Sequence, residues 1–540
     1  MEQQTKRVDT GNSIVKQGSI LVMSSIIVRL IGFFYRVPLY NMLGDEGVAL
    51  YSNAYDVYSL LLIISSYGIP IAVSKLVASK LSNKEYNNAH RVFKLSLLFA
   101  FISGSIASLI VWFGAEFITR EIVNIPLAAI PLKALSPTIL IVSILGVFRG
   151  YFQGMNTMVP TALSQIIEQI LNAIVSVVAA ASLLSMGIEF GSAGGTIGTG
   201  VGALTGLIFM ISIYLLIRPK INRRLARDTK TIEISTINLS KMIALTIVPI
   251  VIGTTVINLT NFLDNVMFNQ SLGFRGYTDS DIRLLSGILN GKYKLIITFP
   301  ISIGSALAAA TVPSIASSLN NSFKDINRKI DVAIRFLMLI AIPSAFGILT
   351  LAGPILNLVF RDESTIEVVR LLQLGSVSII FFCLSTIAIG ILQGLDRIKL
   401  PIKHSVISMT IKMIINFIFF FVLRLSLFAM IVSNIIFSII SAYLNLKAVK
   451  KITKLNINIK KAFILPSVSA TIMGVIVFLV YNITHYIVKS NAISTLVAIA
   501  FGIATYGILI IKTKAINENE LLGLPQGGKL VKLCYKFRLL

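Results

Sequence analysis

The sequence predicts an all-α polytopic membrane protein with fourteen transmembrane helices, and three observations carry that prediction. Of its 540 residues, 55% are hydrophobic and only 13% are charged, with a mean hydropathy of +0.85. That composition is foreign to a soluble chain of this size. Fourteen apolar stretches follow one another, each long enough to cross a hydrocarbon core of about 30 Å as a helix. The basic residues are gathered into alternate connections between them, the asymmetry expected of a chain that crosses a bilayer repeatedly.

Taken in order, the expected spans are 18–42, 48–74, 93–115, 127–150, 160–186, 193–217, 240–268, 284–312, 331–352, 366–392, 402–423, 427–446, 462–488 and 493–511. The N-terminus is basic (Lys6, Arg7, Lys16), but the first apolar run is too long for a signal-peptide core, so it reads as a retained first span. The even-numbered connections carry the basic clusters Lys75 to Lys94, Arg218 to Lys230 and Lys447 to Lys461. They are expected on the cytoplasmic side together with both termini. The formal charge of +25 is therefore topological, which removes nucleic acid as a partner; the clusters also suit anionic lipid headgroups. Two cysteines, Cys383 and Cys534, and three scattered histidines offer no disulfide framework, metal site or cofactor site. No catalytic cluster appears either, and the chain is not expected to be an enzyme.

Charge buried within spans is the next feature. The first span, GSILVMSSIIVRLIGFFYRVPLYNM, contains Arg29 and Arg36. A guanidinium at membrane depth costs about 3 kcal/mol on insertion scales, so it is expected to face protein or a water-filled cavity. Lys292, Lys294 and Lys412 are similarly placed, as are the acids Asp56, Glu168 and Asp264. Spans 1, 2, 7 and 8 thus concentrate the buried charge, and they also contain Pro38, Pro70, Pro249 and Pro300, where bends are expected. In span 6, Gly194, Gly198, Gly202 and Gly206 recur on one face. Without a strand or a lysine this is no phosphate loop, and it reads as a surface for close helix packing.

The chain also repeats itself. VASKLSN (77–83) matches IASSLNN (315–321) at an offset of 238, which places Tyr55 on Tyr293 and Asp56 on Lys294. GYFQG (150–154) matches GILQG (390–394) at an offset of 240. Six spans separate each pair, and an even number restores the membrane orientation, so the halves are expected to be parallel repeats. The expected divisions are an N-terminal lobe over 1–230, a C-terminal lobe over 231–455, two further helices over 456–515 and a cytoplasmic tail over 516–540.

Three stretches carry a family resemblance: RLIGFFYRVPLYNMLGDEGVALYSNAYDVYSLLL, GIPIAVSKLVASKLSN and FRGYFQG. The chain resembles the polysaccharide-transporter branch of the multidrug/oligosaccharidyl-lipid/polysaccharide exporter superfamily. Within it, the similarity points to the stage V sporulation protein B group and the MurJ-type lipid II flippases. The resemblance implies two six-helix lobes around a cavity lined largely by helices 1, 2, 7 and 8. It also implies two extra C-terminal helices, which form a lipid-tail groove in MurJ-type members. The family's paired first-helix arginines map onto Arg29 and Arg36, although these are seven residues apart rather than six. The helix 2 arginine of MurJ-type proteins has no counterpart among Leu61 to Ile64. Lys292 and Lys294 are the inferred replacement.

The resulting expectation is a flippase for an undecaprenyl-pyrophosphate-linked saccharide, most simply lipid II, in a bacterial plasma membrane, working beside the cell-wall synthesis machinery. Arg29, Arg36, Lys292 and Lys294 are the expected pyrophosphate ligands, the arginines by bidentate bonds. Asn53, Tyr55 and Asn258 are expected to meet sugar or peptide, while Asp56 and Asp264 balance the cations in the empty cavity and act in gating. A cationic-drug exporter would favour an acidic cavity; this one holds four cations against two acids. A membrane glycosyltransferase would need a carboxylate cluster on a sizeable external loop. A cell-wall or sporulation scaffold has no need for buried cations.

Overall fold

The computed structural model of the protein describes residues 2–226, 228, 234–316, 323–361, 365–455, 457–518 and 527–536. Among the described residues every regular element is helical. Among those residues eleven helices are long and apolar enough to cross a membrane. The first of these, α1 (Glu2–Leu62), is continuous by hydrogen bonding but breaks at Gly44, whose φ of 63° and ψ of 178° are not helical. Glycine is the residue for which that conformation is cheap. Residues 2–43 and 45–62 are thus two arms, and the element order is compatible with the fourteen expected spans. The break falls at Gly44, and Pro38 lies inside the helix.

The chain forms two compact units, the first comprising residues 1–291 with 420–424, the second residues 292–419 with 425–540. In the first unit, the second arm of α1 runs through a π-turn, Ile63–Tyr67, into α2 (Gly68–Ser82). There follow α3 (Tyr86–Phe117), α4 (Ala129–Gly154), α5 (Val159–Leu183), α6 (Ile188–Ala226), α7 (Thr236–Phe274) and α8 (Asp279–Gly287). The connections alternate between two ends. Gly44, Val123–Ile125, Gly187 and Arg275–Tyr277 lie at one, here the Gly44 end. Residues 83–85, Asn156 and Asp228 lie at the other, the Asn156 end. An aromatic cluster of Phe93, Phe148, Tyr151 and Tyr214 packs α3, α4 and α6 together near the Asn156 end, with ring centroids 4.3–6.3 Å apart.

The glycine face of α6 lies directly on α5. A Cβ on Gly194 would sit 2.5 Å from the Ala179 carbonyl, and one on Gly202 2.5 Å from the Glu168 carbonyl. Only hydrogen fits there, so the two backbones touch, as small-residue faces allow.

The second unit holds α9 (Lys294–Ala316), α10 (Phe323–Val359), α11 (Ile366–Gly394), α12 (Lys399–Phe417) and α13 (Leu427–Thr453). The final elements are α14 (Leu465–Val488) and α15 (Asn491–Lys512), which pack on each other and on α10, and a short α16 (Gly527–Lys536). Val531 of α16 packs with Leu339, Ala515 and Ile516.

The internal repeat is visible in three dimensions, although residues 317–321 of its first matched segment lie outside the described residues. In the first unit a Cβ on Gly150 would strike the Pro70 carbonyl, and one on Gly154 would meet Ser74 and Val77. In the second, Gly390 faces the Ala308 carbonyl, and Gly394 faces Val312 and Ile315. These are the same contacts shifted by 240 and 238 residues. Both helices then end alike. Asn156 and Asp396 are left-handed, with φ of 57° and 58°, and donate their N–H groups to Gln153 and Gln393 at 2.9 and 3.0 Å. Asn and Asp are the non-glycine residues that best tolerate this conformation.

Candidate functional site

Arg36 lies in the first arm of α1, eight residues before the Gly44 break. It is half-buried, and Tyr35, Tyr40, Tyr51 and Tyr55 all lie within electrostatic range of its guanidinium. Tyr51, Tyr55 and Tyr58 come from the second arm of α1, spaced to share one helix face. Their rings form a ladder: Tyr51 stacks on Tyr55 with centroids 5.9 Å apart, Tyr55 meets Tyr58 at 5.4 Å, and Tyr40 meets Tyr51 edge-on at 6.0 Å. The Tyr35 and Tyr51 hydroxyls are 3.4 Å apart. Arg36 Nε is buried and has no hydrogen-bond partner among the described residues. A buried donor left unmatched costs about 1–3 kcal/mol, and more on a charged group. This chain tolerates that cost where an anion would remove it.

In the half of the first unit toward the Gly44 end, the second arm of α1 is fastened to α7 and α8 by a lattice of amides. Asn53 donates to Ser286 Oγ at 3.0 Å. Asn269 donates through one amide nitrogen to Asn53 Oδ1 and to the Val123 carbonyl, both at 3.1 Å. Asn265 donates to Asp56 and to Asn290 Oδ1 at 3.3 Å. Gln270 adds bonds to the Glu121 and Ile122 carbonyls at 2.8 and 3.0 Å. Beyond the lattice, Arg283 bridges Glu46 at 2.8 Å, and Gly287 lies against the Asp45 backbone too closely for any side chain. The first unit is thus drawn tight at this end by hydrogen bonds, those between neutral groups each worth about 1 kcal/mol, with the Asn265 bond to the Asp56 carboxylate the charged exception.

The remaining expected residues divide between the units. Arg29 is exposed on the first arm of α1, Asn258 is half-buried on α7 and Asp264, also on α7, is buried. Lys292 is buried in the π-turn Ile288–Tyr293, and Lys294 is half-buried at the first residue of α9; both belong to the second unit. Lys412, another buried cation of that unit, donates to Asn434 Oδ1 at 2.6 Å and lies 5.1 Å over the Phe437 ring.

The structure adds residues that sequence reasoning passed over. Arg149 on α4 pairs with Glu168 Oε2 on α5 at 2.6 Å and with Ser164 Oγ at 2.9 Å. It is the arginine of the FRGYFQG stretch, and its mate was visible as an intramembrane acid. Asn265 and Asn269 were legible as a four-residue stripe beginning at Asn261 on α7, and Tyr51 and Tyr58 as a stripe on the second arm of α1.

Comparison with known proteins agrees with this architecture. The profile of the polysaccharide biosynthesis protein family matches residues 14–319, and that of the MatE family matches residues 286–418. The lipid II flippase MurJ of Bacillus subtilis (strain 168) is 26% identical over 411 residues, covering 74% of this chain and 75% of that protein. Stage V sporulation protein B of the same organism is 23% identical over 531 residues, 96% of this chain and 99% of its own. Among solved structures, an inward-facing multidrug resistance MATE family transporter superposes with a TM-score of 0.64 at 14% identity, covering 82% of this chain and 98% of that one. Lipid II flippase MurJ in an inward closed conformation gives 0.60 at 16%, covering 90% and 98%. With its helical architecture, its internal repeat and a family match over more than half its length, this chain belongs to the polysaccharide biosynthesis protein family, within the polysaccharide-transporter branch of the multidrug/oligosaccharidyl-lipid/polysaccharide exporter superfamily.

Proposed function

We propose that the protein is a flippase that carries a lipid-linked saccharide across the bacterial cytoplasmic membrane, with the diphosphate-linked peptidoglycan precursor lipid II as its substrate. The observation that carries this reading is Arg36: a guanidinium within a membrane-crossing helix, with a buried unpartnered Nε and four tyrosines in range. A diphosphate supplies the missing acceptor, and guanidinium matches it by paired hydrogen bonds. Arg29 is the further cation proposed on the first unit, and Lys292 and Lys294, which belong to the second unit, are cations proposed to serve the same substrate. Tyr55 offers an aromatic surface, and Asn53 and Asn258 offer amides, to sugar or peptide. Asp56 and Asp264 balance the cations when no substrate is bound.

In this reading both termini and the Asn156 end are cytoplasmic, and the Gly44 end is external. The amide lattice then closes the outer side. Release outward requires α7 and α8 to part from the second arm of α1, a two-state change of the kind alternating access needs. Relatives named lipid II flippase MurJ and stage V sporulation protein B support the substrate class.

The test is replacement of the essential lipid II flippase in a bacterium by this protein, followed by measurement of precursor exposed outside the membrane. Growth with exposed precursor is expected. Cells that make the protein in the membrane yet accumulate precursor only inside would reject lipid II as the cargo.

A further inference from the structure

The ion pair between Arg149 and Glu168 stands apart from the expected site, on α4 and α5, yet the helix geometry connects the two. Arg149 lies five residues before Gly154, about 7.5 Å along α4 from the Asn156 end at 1.5 Å per residue. Glu168 lies nine residues into α5 from the same end, about 13 Å deep. Tyr55 is within electrostatic range of both Glu168 and Arg36, and Tyr58 is within range of Glu168. Arg36 is about 12 Å from the opposite end. Arg149, Glu168, Tyr55 and Arg36 therefore form a ladder through the first unit, with a guanidinium toward each end and a carboxylate between them.

The pair is incompletely buried: the Arg149 and Glu168 side chains retain 14% and 25% of their exposure. Arg149 holds Glu168 through a single terminal nitrogen at 2.6 Å and spends Nε on Ser164. The guanidinium is thus not committed to a two-pronged carboxylate grip. Gly206 opposes the Glu168 carboxylate; a Cβ there would stand 3.6 Å from Oε2. On that side position 206 offers the carboxylate no side chain.

We propose that Arg149 is the first anion ligand met by a diphosphate headgroup entering from the Asn156 end, and that Glu168 is its counterion in the empty protein. This inference rests on the flippase reading above and extends its site to a residue at the entry side. The headgroup displaces the carboxylate, takes the fork of Arg149, and passes toward Arg36 as Glu168 recaptures Arg149. The counterion keeps a half-buried arginine from standing unpaired between cycles, which would be costly. It also lowers affinity at the entry position, so that cargo is not trapped there.

The test measures binding of geranylgeranyl diphosphate to the purified full-length protein in nanodiscs, with geranylgeraniol as the probe lacking phosphate. Glu168→Gln keeps the shape and removes the competing charge. It is expected to tighten diphosphate binding about tenfold or more, since a charge-assisted hydrogen bond is freed. Arg149→Gln is expected to weaken binding by a similar factor, Arg149→Lys by less, and the double change R149Q/E168Q to match Arg149→Gln alone. None of these changes should alter binding of the alcohol. A merely structural clasp between α4 and α5 predicts otherwise: both single variants lose thermal stability while diphosphate affinity stays within about twofold of the parent. That result overturns the inference, and because Glu168→Gln is isosteric it decides the matter even where Arg149→Gln does not fold. If the parent protein binds diphosphate and alcohol equally, the flippase reading falls and this inference falls with it. If the parent prefers the diphosphate but Glu168→Gln has no effect, only this inference fails.

Discussion

Arg36 is the residue on which the proposed function rests, because of what its burial costs. A solvated arginine needs no account, but a buried Nε without an acceptor, inside an apolar helix, must be offset elsewhere. Arg36→Gln removes the charge and keeps an amide, and is expected to lower flipping at least about tenfold while the protein still assembles; Arg36→Lys should retain part of the rate, since a point charge replaces a fork. Equal rates for parent and Arg36→Gln in reconstituted vesicles would remove Arg36 from the site. At the surface, Glu85 behaves differently. Its carboxylate accepts from Asn88 at 2.9 Å and from Lys80 at 3.0 Å, and those bonds hold it below the usual carboxylate range. A carboxyl whose folded pKa is depressed contributes stability above its unfolded pKa and loses it as pH falls through the folded value. Glu85→Gln should therefore reduce thermal stability slightly at neutral pH, by less than about 1 kcal/mol for a partly exposed ion pair. The difference from the parent should be full above the ordinary carboxylate value of about 4.3 and shrink as pH falls below it, and a difference that grows as pH falls would contradict the assignment.

Helices behave as their sequences imply where packing is local, and less so where contacts are distant. The glycines of α6 were legible as a packing face because a four-residue spacing admits few other uses in an apolar helix, and the structure puts α5 against them. Gly202→Leu must push the Glu168 carbonyl aside; a loss of several kcal/mol in stability, or no folded protein, is expected. A tolerated leucine there would contradict the packing. Likewise GYFQG and GILQG were legible as a repeated pair, and the structure adds the left-handed caps at Asn156 and Asp396 that close both helices. The amide lattice was less legible. Asn53 and Asp56 stood out on their own arm, but their partners on α7 and α8 lie more than 200 residues away, and no local pattern in an apolar helix specifies which of several asparagines will meet them. Asn53→Leu replaces bonds to Ser286 and Asn269 with an apolar side chain. It should loosen the Gly44 end, seen as faster modification of a cysteine placed at Ile282, which is buried on α8. An unchanged rate would mean that Asn53 plays no part in closing that end.

At the scale of the whole molecule, the expected lobe boundary and the membrane orientation rest on different observations. Composition and the repeat sufficed for the fold class, because hydrocarbon admits few alternatives to helices. The compact units divide the chain at residue 291, a property of through-space contact that no linear feature records. Orientation follows instead from charge: Lys447, Lys450, Lys451 and Lys454 gather where α13 ends, and Arg218, Lys220, Arg223 and Arg224 where α6 ends, the ends that share the cytoplasmic side in the proposed orientation. Translocating such clusters opposes the insertion rule. The two free cysteines, Cys383 and Cys534, are buried, so a background with both changed to serine permits single-cysteine labelling. A cysteine at Asp279, beside the Gly44 end, is expected to react with an impermeant maleimide on intact cells. One at Arg224, on α6 toward the Asn156 end, should react only after permeabilisation. The opposite pattern would invert the proposed direction of transport as well, since Arg149 would then lie at the exit and the amide lattice at the entrance.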